Sequence, residues 1–353
     1  MPARITLLSS QQIITVEDDE TILDAALRVG LNLPHSCKAG HCSSCRARIV
    51  SGRVRYAKGR PLGLMEEEER EGLALLCQAH AADHELTIEV REIRPPSADL
   101  TVRSLPCRVE RLVPLAPDVM AVFLRLPATE PFAYLAGQYL DIMLPHNRRR
   151  SFSIANPPHA SDLIELHIRR VASGEFTEQV FSGMQVKTLL RIEGPLGQFW
   201  FREESPRPAV MIGGGTGYAP LRAMLRHLLE RGDRRPLHLY WGAQSKIDLY
   251  EDARLREWCA RHPHFQYTPV LSNPNAEDGW DGRTGWVHTA ALDDYQDRLA
   301  SIDVYTSGPP AMVEAVRSEF VPRGLPATQL FFDSFDFAPD SVAKITSATE
   351  RSP

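Results

Sequence analysis

Cys37-Lys38-Ala39-Gly40-His41-Cys42-Ser43-Ser44-Cys45, answered after thirty-one intervening residues by Leu75-Leu76-Cys77, is the stretch on which the reading of this chain turns. The spacing C-x4-C-x2-C…C is that of a plant-type [2Fe-2S] site, in which one tight loop supplies three thiolates and a distant segment the fourth. Gly40 stands where a loop wrapped around a cluster needs positive φ and close backbone approach. Cys37, Cys42, Cys45 and Cys77 are therefore the candidate metal ligands, and the chain is expected to move electrons one at a time.

Other uses of these cysteines fit less well. A four-cysteine zinc site usually shows two C-x2-C pairs, and only Cys42 and Cys45 have that spacing. A Rieske centre takes two Cys and two His. Cys77 and His80 make one half of it, but the C-x-H half is missing. A disulfide framework suits short secreted chains. Three cysteines in nine residues, flanked by small polar residues, are not core packing. Cys107 and Cys259 are left over and read as structural.

The chain has 353 residues, a formal net charge of −5 and ordinary hydrophobic and charged fractions, which implies two or three globular domains. Mixed charge argues against a nucleic-acid partner. No apolar run approaches membrane-spanning length, and Met1–Ser10 lacks the apolar core of an export signal, so a cytoplasmic protein with no membrane partner is expected; a monomer is the accompanying expectation. The acidic run Glu66–Glu71 reads as a solvated helix face that could also steer a basic redox partner.

Residues 4–17 alternate as a hairpin, Thr21–Val29 carries a helical apolar stripe, and Leu86–Val90 closes a small sheet. Pro95-Pro96-Ser97 marks a linker. Short strand-like runs follow at 107–112, 119–126, 139–144, 151–154 and 163–171, separated by turn residues as in an antiparallel barrel. From Ala209 the pattern becomes strand, Gly213-Gly214-Gly215-Thr216-Gly217, then a helix over 219–231, with further strands at 237–241, 265–271 and 304–306. That is a parallel α/β arrangement. The expected division is 1–94, a linker at 95–103, a barrel at 104–205, an α/β domain at 206–338 and a frayed tail at 339–353. The glycine-rich turn is neither the G-x-G-x-x-G fingerprint nor a P-loop, and by itself is a phosphate cradle or merely a sharp connection.

Taken together, these motifs resemble the ferredoxin-fused, ferredoxin-NADP⁺-reductase-type flavoproteins: the reductase components of bacterial oxygenases and the similar CDP-6-deoxy-Δ-3,4-glucoseen reductases. The resemblance covers the chain except its tail. It implies a multidomain fold of three classes, α+β, all-β and α/β: a β-grasp [2Fe-2S] ferredoxin domain, an antiparallel β-barrel for FAD and a parallel-sheet domain for NAD(P)H. Arg150-Ser151-Phe152-Ser153 looks like the family's Arg-x-Tyr-Ser flavin motif, with Phe152 replacing Tyr, so ring stacking survives and the phenol's hydrogen bond does not. Arg150 offers a forked cation for phosphate, and Ser153 a hydroxyl within reach of the isoalloxazine. The implied flavin set also includes His167, Ile168 and Arg169, and the segment Gly174-Glu175-Phe176-Thr177 resembles a pyrophosphate clamp ahead of a helix over 178–181. Gly194–Phe199 matches a turn that closes the barrel, and simple turn chemistry also accounts for it.

Gly215, Thr216, Gly217 and Pro220 fall in the family's element under the dinucleotide pyrophosphate. Ser307-Gly308-Pro309-Pro310-Ala311-Met312 resembles the element beside the nicotinamide, with Ser307 in place of a cysteine and Gly308, Pro309 and Met312 retained. Phe331-Phe332-Asp333-Ser334-Phe335 resembles the terminal segment that covers the flavin, with Phe335 the candidate shield and Phe332 or Phe337 its substitutes. A Phe-rich last strand is equally a core strand. Ser153, Ser307 and Phe335 are the candidate catalytic residues. The stretch Gly242–Asp248 holds no Arg for a 2′-phosphate, Lys246 is a lone cation and Asp248 could cap the next helix, which points to NADH over NADPH.

Nicotinamide gives up two electrons together and an iron–sulfur cluster takes one, so a flavin between them is required. The implied activity is transfer from NAD(P)H through FAD and [2Fe-2S] to a separate protein, an oxygenase component or, as the rival, a deoxysugar dehydrase. A non-catalytic iron–sulfur sensor would bind neither flavin nor nicotinamide, and a zinc protein would be colourless.

Overall fold

Ile5 and Leu7 on one strand, Ile14 and Val16 on the next, stand at alternate positions, and strands β1 (Ala3–Leu7) and β2 (Gln12–Val16) pair antiparallel with those four side chains inward. The computed structural model describes residues 2–35, 38, 40, 45–61, 63–64, 66–90, 100–146, 148–160, 162–172 and 174–335. Helix α1 (Ile22–Arg28) starts at Thr21, whose hydroxyl accepts the Asp24 N–H, and lays Ile22, Leu23, Ala25 and Ala26 on the sheet. There follow β3 (Arg46–Ser51), β4 (Val54–Tyr56), α2 (Glu66–Arg70), β5 (Leu73–Leu75), β6 (Ala79–Ala81) and β7 (Glu85–Glu89). The sheet order is β2-β1-β7-β3-β5, with β1 and β7 parallel, and β4 and β6 form a separate ribbon.

The barrel comprises β8 (Arg103–Ala116), β9 (Val119–Arg125), β10 (Tyr139–Met143), β11 (Arg149–Ser153), β12 (Ile164–Arg169), α3 (Glu175–Ser182) and β13 (Leu189–Leu196). Its order is β11-β10-β13-β8-β9-β12, and the antiparallel bridge Ile154–Leu166 brings the two edges together. Two expectations are corrected here. Gly194–Leu196 is not turn but the end of β13, a central strand hydrogen-bonded on both sides, and only Gly197, at φ +86°, begins the turn. Helix α3 starts at Glu175 rather than 178, with Gly174 as its N-cap.

The third sheet is wholly parallel. It is built from β14 (Ala209–Gly214), α4 (Tyr218–Glu230), β15 (Leu237–Ala243), α5 (Asp252–Arg261), β16 (Phe265–Leu271), β17 (Arg283–Thr284), α6 (Val287–Tyr295), β18 (Asp303–Gly308), α7 (Pro310–Phe320) and β19 (Leu330–Ser334). The order β17-β16-β15-β14-β18-β19 reverses direction at β14, so the crevice where parallel sheets bind ligands opens at the carboxyl end of β14, over the glycine-rich turn. Each sheet has its own apolar core, and the third is packed on both faces. Cys107 lies in the barrel core, where burial pushes its thiol up to about 12. No helix among the described residues is long and apolar enough to cross a membrane.

Candidate functional site: a cluster loop, a flavin strand and a nicotinamide crevice

β3 and β5 bring two of the four cysteines together. Cys45 precedes β3, Cys77 follows β5, and the Leu76 N–H donates to the Cys45 carbonyl at 3.1 Å. Both cysteines are buried, which suits ligation by sulfur. Cys37 and Cys42 lie outside the described residues. Gly40, at φ +80°, takes the positive φ expected of it. A Cβ there would stand 2.8 Å from Gln78 Cγ and 2.9 Å from Pro61 Cβ, so glycine is required twice over. Gln78 Nε2 donates to the carbonyls of both Lys38 and Cys77 at 2.9 Å, fastening the loop to the segment of the distant cysteine.

β11 sorts the flavin motif by alternation. Ser151 and Ser153 share one face, where Ser151 Oγ donates to Asp141 Oδ1 at 2.6 Å and the buried Ser153 Oγ lies 3.4 Å from Asp333 Oδ2 on β19. Phe152 points the other way, its ring 5.7 Å from that of the buried Phe176, and the Arg150 guanidinium donates to the Arg149 carbonyl. Thr177 Oγ1 accepts the Val171 N–H and donates to the Gly174 carbonyl at 3.0 Å, so this hydroxyl closes the turn ahead of α3.

The three residues from β12 part company. Ile168 is in the barrel core. The His167 ring is fully buried, Nε2 3.1 Å from Glu165 and Nδ1 3.1 Å from the Tyr250 hydroxyl. Arg169 alone reaches the crevice, 3.5 Å from Asp118 and from Asp248, its guanidinium 3.8 Å from where a Cβ on Gly215 would be. Asp248 Oδ2 accepts from both the N–H and the hydroxyl of Ser245, closing a capping box on the short helix Lys246–Asp248. Gly242–Asp248 does lack arginine, but a forked cation arrives beside it from the barrel.

In the crevice the two glycine-bearing loops mesh. A Cβ on Gly217 would lie 2.0 Å from the Ser307 carbonyl oxygen, and one on Gly214 would lie 2.8 Å from Met312 Sδ and 2.9 Å from Pro309 Cδ. Thr216 is half-buried and Pro220 lies in the buried first turn of α4. The Trp241 indole holds the turn by donating to the Gly215 carbonyl at 2.9 Å. Ser307 is fully buried, and its Oγ has no hydrogen-bond partner among the described residues, so a polar donor or acceptor is left for a ligand. Phe335 is half-buried, and its N–H donates to the Gly308 carbonyl at 2.9 Å. Phe337 lies outside the described residues. Ser153, Ser307, Gly308 and Phe335 thus converge from two domains on one point, as the β18–β19 register sets Ser307 opposite the buried Asp333.

Nothing local in the sequence marks Asp333, which sits among the aromatics Phe331, Phe332 and Phe335 and is buried only by its place on β19. Arg222 is marked only as a cation on the apolar stripe Tyr218, Leu221, Leu225, Leu228 of α4. It is buried between domains, donating to the Ala155 carbonyl and to Glu165 on the barrel side and, at 2.7 Å, to Glu251 on the other. Burial pushes Glu165 up, but the bond from His167 and the Arg222 charge outweigh it and hold the carboxyl down at about 2.

Comparison with known proteins follows this division. Residues 5–82 match the 2Fe-2S iron-sulfur cluster binding domain, 106–201 the oxidoreductase FAD-binding domain and 211–318 the oxidoreductase NAD-binding domain. The chain is 38% identical to the CDP-6-deoxy-L-threo-D-glycero-4-hexulose-3-dehydrase reductase of Yersinia pestis over 95% of its own length and 99% of the relative's. It is 34% identical to the reductase component of phenol 2-monooxygenase from a Pseudomonas species, over 98% and 97%. Among solved structures, an Amycolatopsis cytochrome P450 reductase superposes with a TM-score of 0.79 at 32% identity, covering 94% of this chain and 98% of that one. The buried paired thiols, the serine-lined strand and the glycine crevice fit the three groups those domains carry. The chain belongs to the family of iron–sulfur flavoprotein reductases that join a [2Fe-2S] domain, an FAD-binding barrel and an NAD-binding domain, and it is an NAD(P)H-dependent flavin iron–sulfur oxidoreductase.

Proposed function

We propose that the protein is the NADH-dependent reductase component of an oxygenase system, delivering electrons to a separate oxygenase protein. The observation that carries the electron path is the convergence of Ser153 from the barrel with Ser307, Gly308 and Phe335 from the nicotinamide domain. Flavin chemistry accepts the pair of electrons from nicotinamide and releases them singly to a cluster. The protein's own groups bind, orient and shield. Arg150, Ser151, Phe152 and the turn at Gly174–Thr177 would hold FAD, with Phe152 offering a ring face. Gly215, Thr216, Gly217 and Pro220 would lie under the dinucleotide pyrophosphate, with Arg169 above them. Gly308, Pro309 and Met312 would shape the nicotinamide pocket, and the Ser153 and Ser307 hydroxyls would orient the reacting rings. Cys37, Cys42, Cys45 and Cys77 would hold the cluster.

NADH is favoured because Asp248, already engaged by Ser245 and Arg169, presents a carboxylate where a 2′-phosphate would add negative charge. The rival reading, a reductase for a deoxysugar dehydrase, draws on the higher identity to the Yersinia relative, 38% against 34%. Reconstitution decides between them. NADH-driven turnover should appear with an oxygenase component and not with a deoxysugar dehydrase, and the opposite pattern would assign the protein to the dehydrase.

A further inference from the structure

Three residues that flank or lie within the cluster loop touch the flavin barrel. The Asn32 carbonyl accepts from Gln198 Nε2, and Asn32 Nδ2 lies 3.4 Å from the Gly197 carbonyl. The His35 ring stands edge-on to Tyr139, centroids 5.9 Å apart. Lys38 Nζ donates to Asp141 Oδ2 at 3.0 Å. Tyr139 and Asp141 are two apart on β10, hence on one face, and pair in register with Ser153 and Ser151 of the flavin motif. The Asp141 side chain is 1% exposed. Its other oxygen takes the Ser151 hydroxyl, and Arg149 stands 3.6 Å off. One buried carboxylate is thus bonded at once to the segment that carries the cluster ligands and to the strand that carries the flavin motif. A surface ion pair contributes little, but a desolvated one that loses a partner is costly, so this contact can hold two domains in one orientation.

We infer that Lys38 and Asp141 form a positioning latch that fixes the cluster against the flavin for electron transfer. The inference rests on the placement of FAD at β11 and the cluster at Cys37–Cys77. In the step concerned one electron leaves the NADH-reduced flavin, one ferric ion of the cluster takes it up, and the proton released from the flavin passes to water. The latch bears on this step and not on hydride transfer at the crevice. Small misplacements of reacting centres cost one to two orders of magnitude in rate.

The test is single-turnover stopped-flow on the FAD- and cluster-loaded enzyme, with hydrogen exchange as a second readout. Lys38→Gln should slow cluster reduction about tenfold or more while leaving flavin reduction by NADH within about twofold, and should speed exchange at the amides of Tyr139–Met143 and of Leu31–His35. Lys38→Arg should restore both. If Lys38→Gln loses iron, Asp141→Asn, outside the cluster loop, should still load and show the same slow cluster reduction. Unchanged cluster reduction with unchanged exchange would overturn the latch, and so would iron loss in both variants, which would make the pair a folding contact of the loop. A wild-type protein lacking FAD or cluster would instead fail the placement on which the inference rests.

Discussion

Gly217 has a negative φ of −59°, so a side chain there is excluded by space and not by backbone conformation. With the Ser307 carbonyl oxygen 2.0 Å from its virtual Cβ, Gly217→Ala must push apart the two loops that shape the crevice. Overpacking of this kind costs about 1–3 kcal/mol, so the thermal midpoint should fall, and KM for NADH should rise several-fold. An unchanged KM would place the dinucleotide away from this turn. Phe335 poses the opposite question. It is half-buried and outside the apolar cores, whereas Phe331 stacks on Tyr305 at 4.8 Å and Phe332 packs against the core beneath Arg317. Phe335→Ala should therefore lose far less than the ~3–5 kcal/mol of a truncated core Phe, while shifting the flavin spectrum and tightening oxidised-nicotinamide binding. Severe destabilisation with an unchanged spectrum would make it a packing residue and move the shielding role to Phe332.

Between elements, the Arg222 network joins β12 to α4 and to Glu251 ahead of α5. Removing the cation with Arg222→Met would take from two buried carboxylates the charge they share, leaving Glu165 with His167 and Glu251 with Tyr218 and Arg254, and a loss of up to about 3–5 kcal/mol is expected from breaking such a pair, read by denaturant unfolding. The network also predicts an acid limb. The Glu165 carboxyl is held at about 2 against an ordinary 4.5. Its contribution is therefore complete above pH 4.5 and is lost as pH falls through 2. A depression of this size corresponds to roughly 3 kcal/mol. Glu165→Gln should be less stable at pH 6 and should show a flatter decline below pH 4.5 than the parent. Parallel declines in the two proteins would show that Glu165 does not carry this limb.

At the scale of the whole molecule the path is linear, from crevice to barrel to cluster loop. Cys42→Ser should abolish electron delivery to one-electron protein acceptors and leave NADH reduction of the flavin largely intact. Loss of both activities in a folded, FAD-loaded variant would mean the path is not linear. We expect dinucleotide choice to be decided where barrel and nicotinamide domain meet, at Arg169 and Asp248. A kcat/KM ratio favouring NADH is expected from Asp248, and a ratio favouring NADPH would assign Arg169 to a 2′-phosphate.

Chemistry held in local spacing was legible in the chain. Four cysteines at ligand spacing, the positive φ of Gly40, the hairpin at residues 4–17 and the glycine turn between a strand and a helix each depend on neighbours along the sequence, where periodicity and turn stereochemistry act. β13 was hidden because Gly194-Pro195 reads as punctuation, and only pairing with β8 and β10 makes it a strand. Two of the six residues of β3 are arginines, and β5 has three residues, too few for a period to show. The Ser153–Asp333 approach, the Arg222 network and the Lys38–Asp141 contact join residues 180, 57 and 103 positions apart. Local propensity carries no information at that separation. A lone Asp or Arg reads as solvated surface until the packing of one domain on another removes the water and brings its partners within reach.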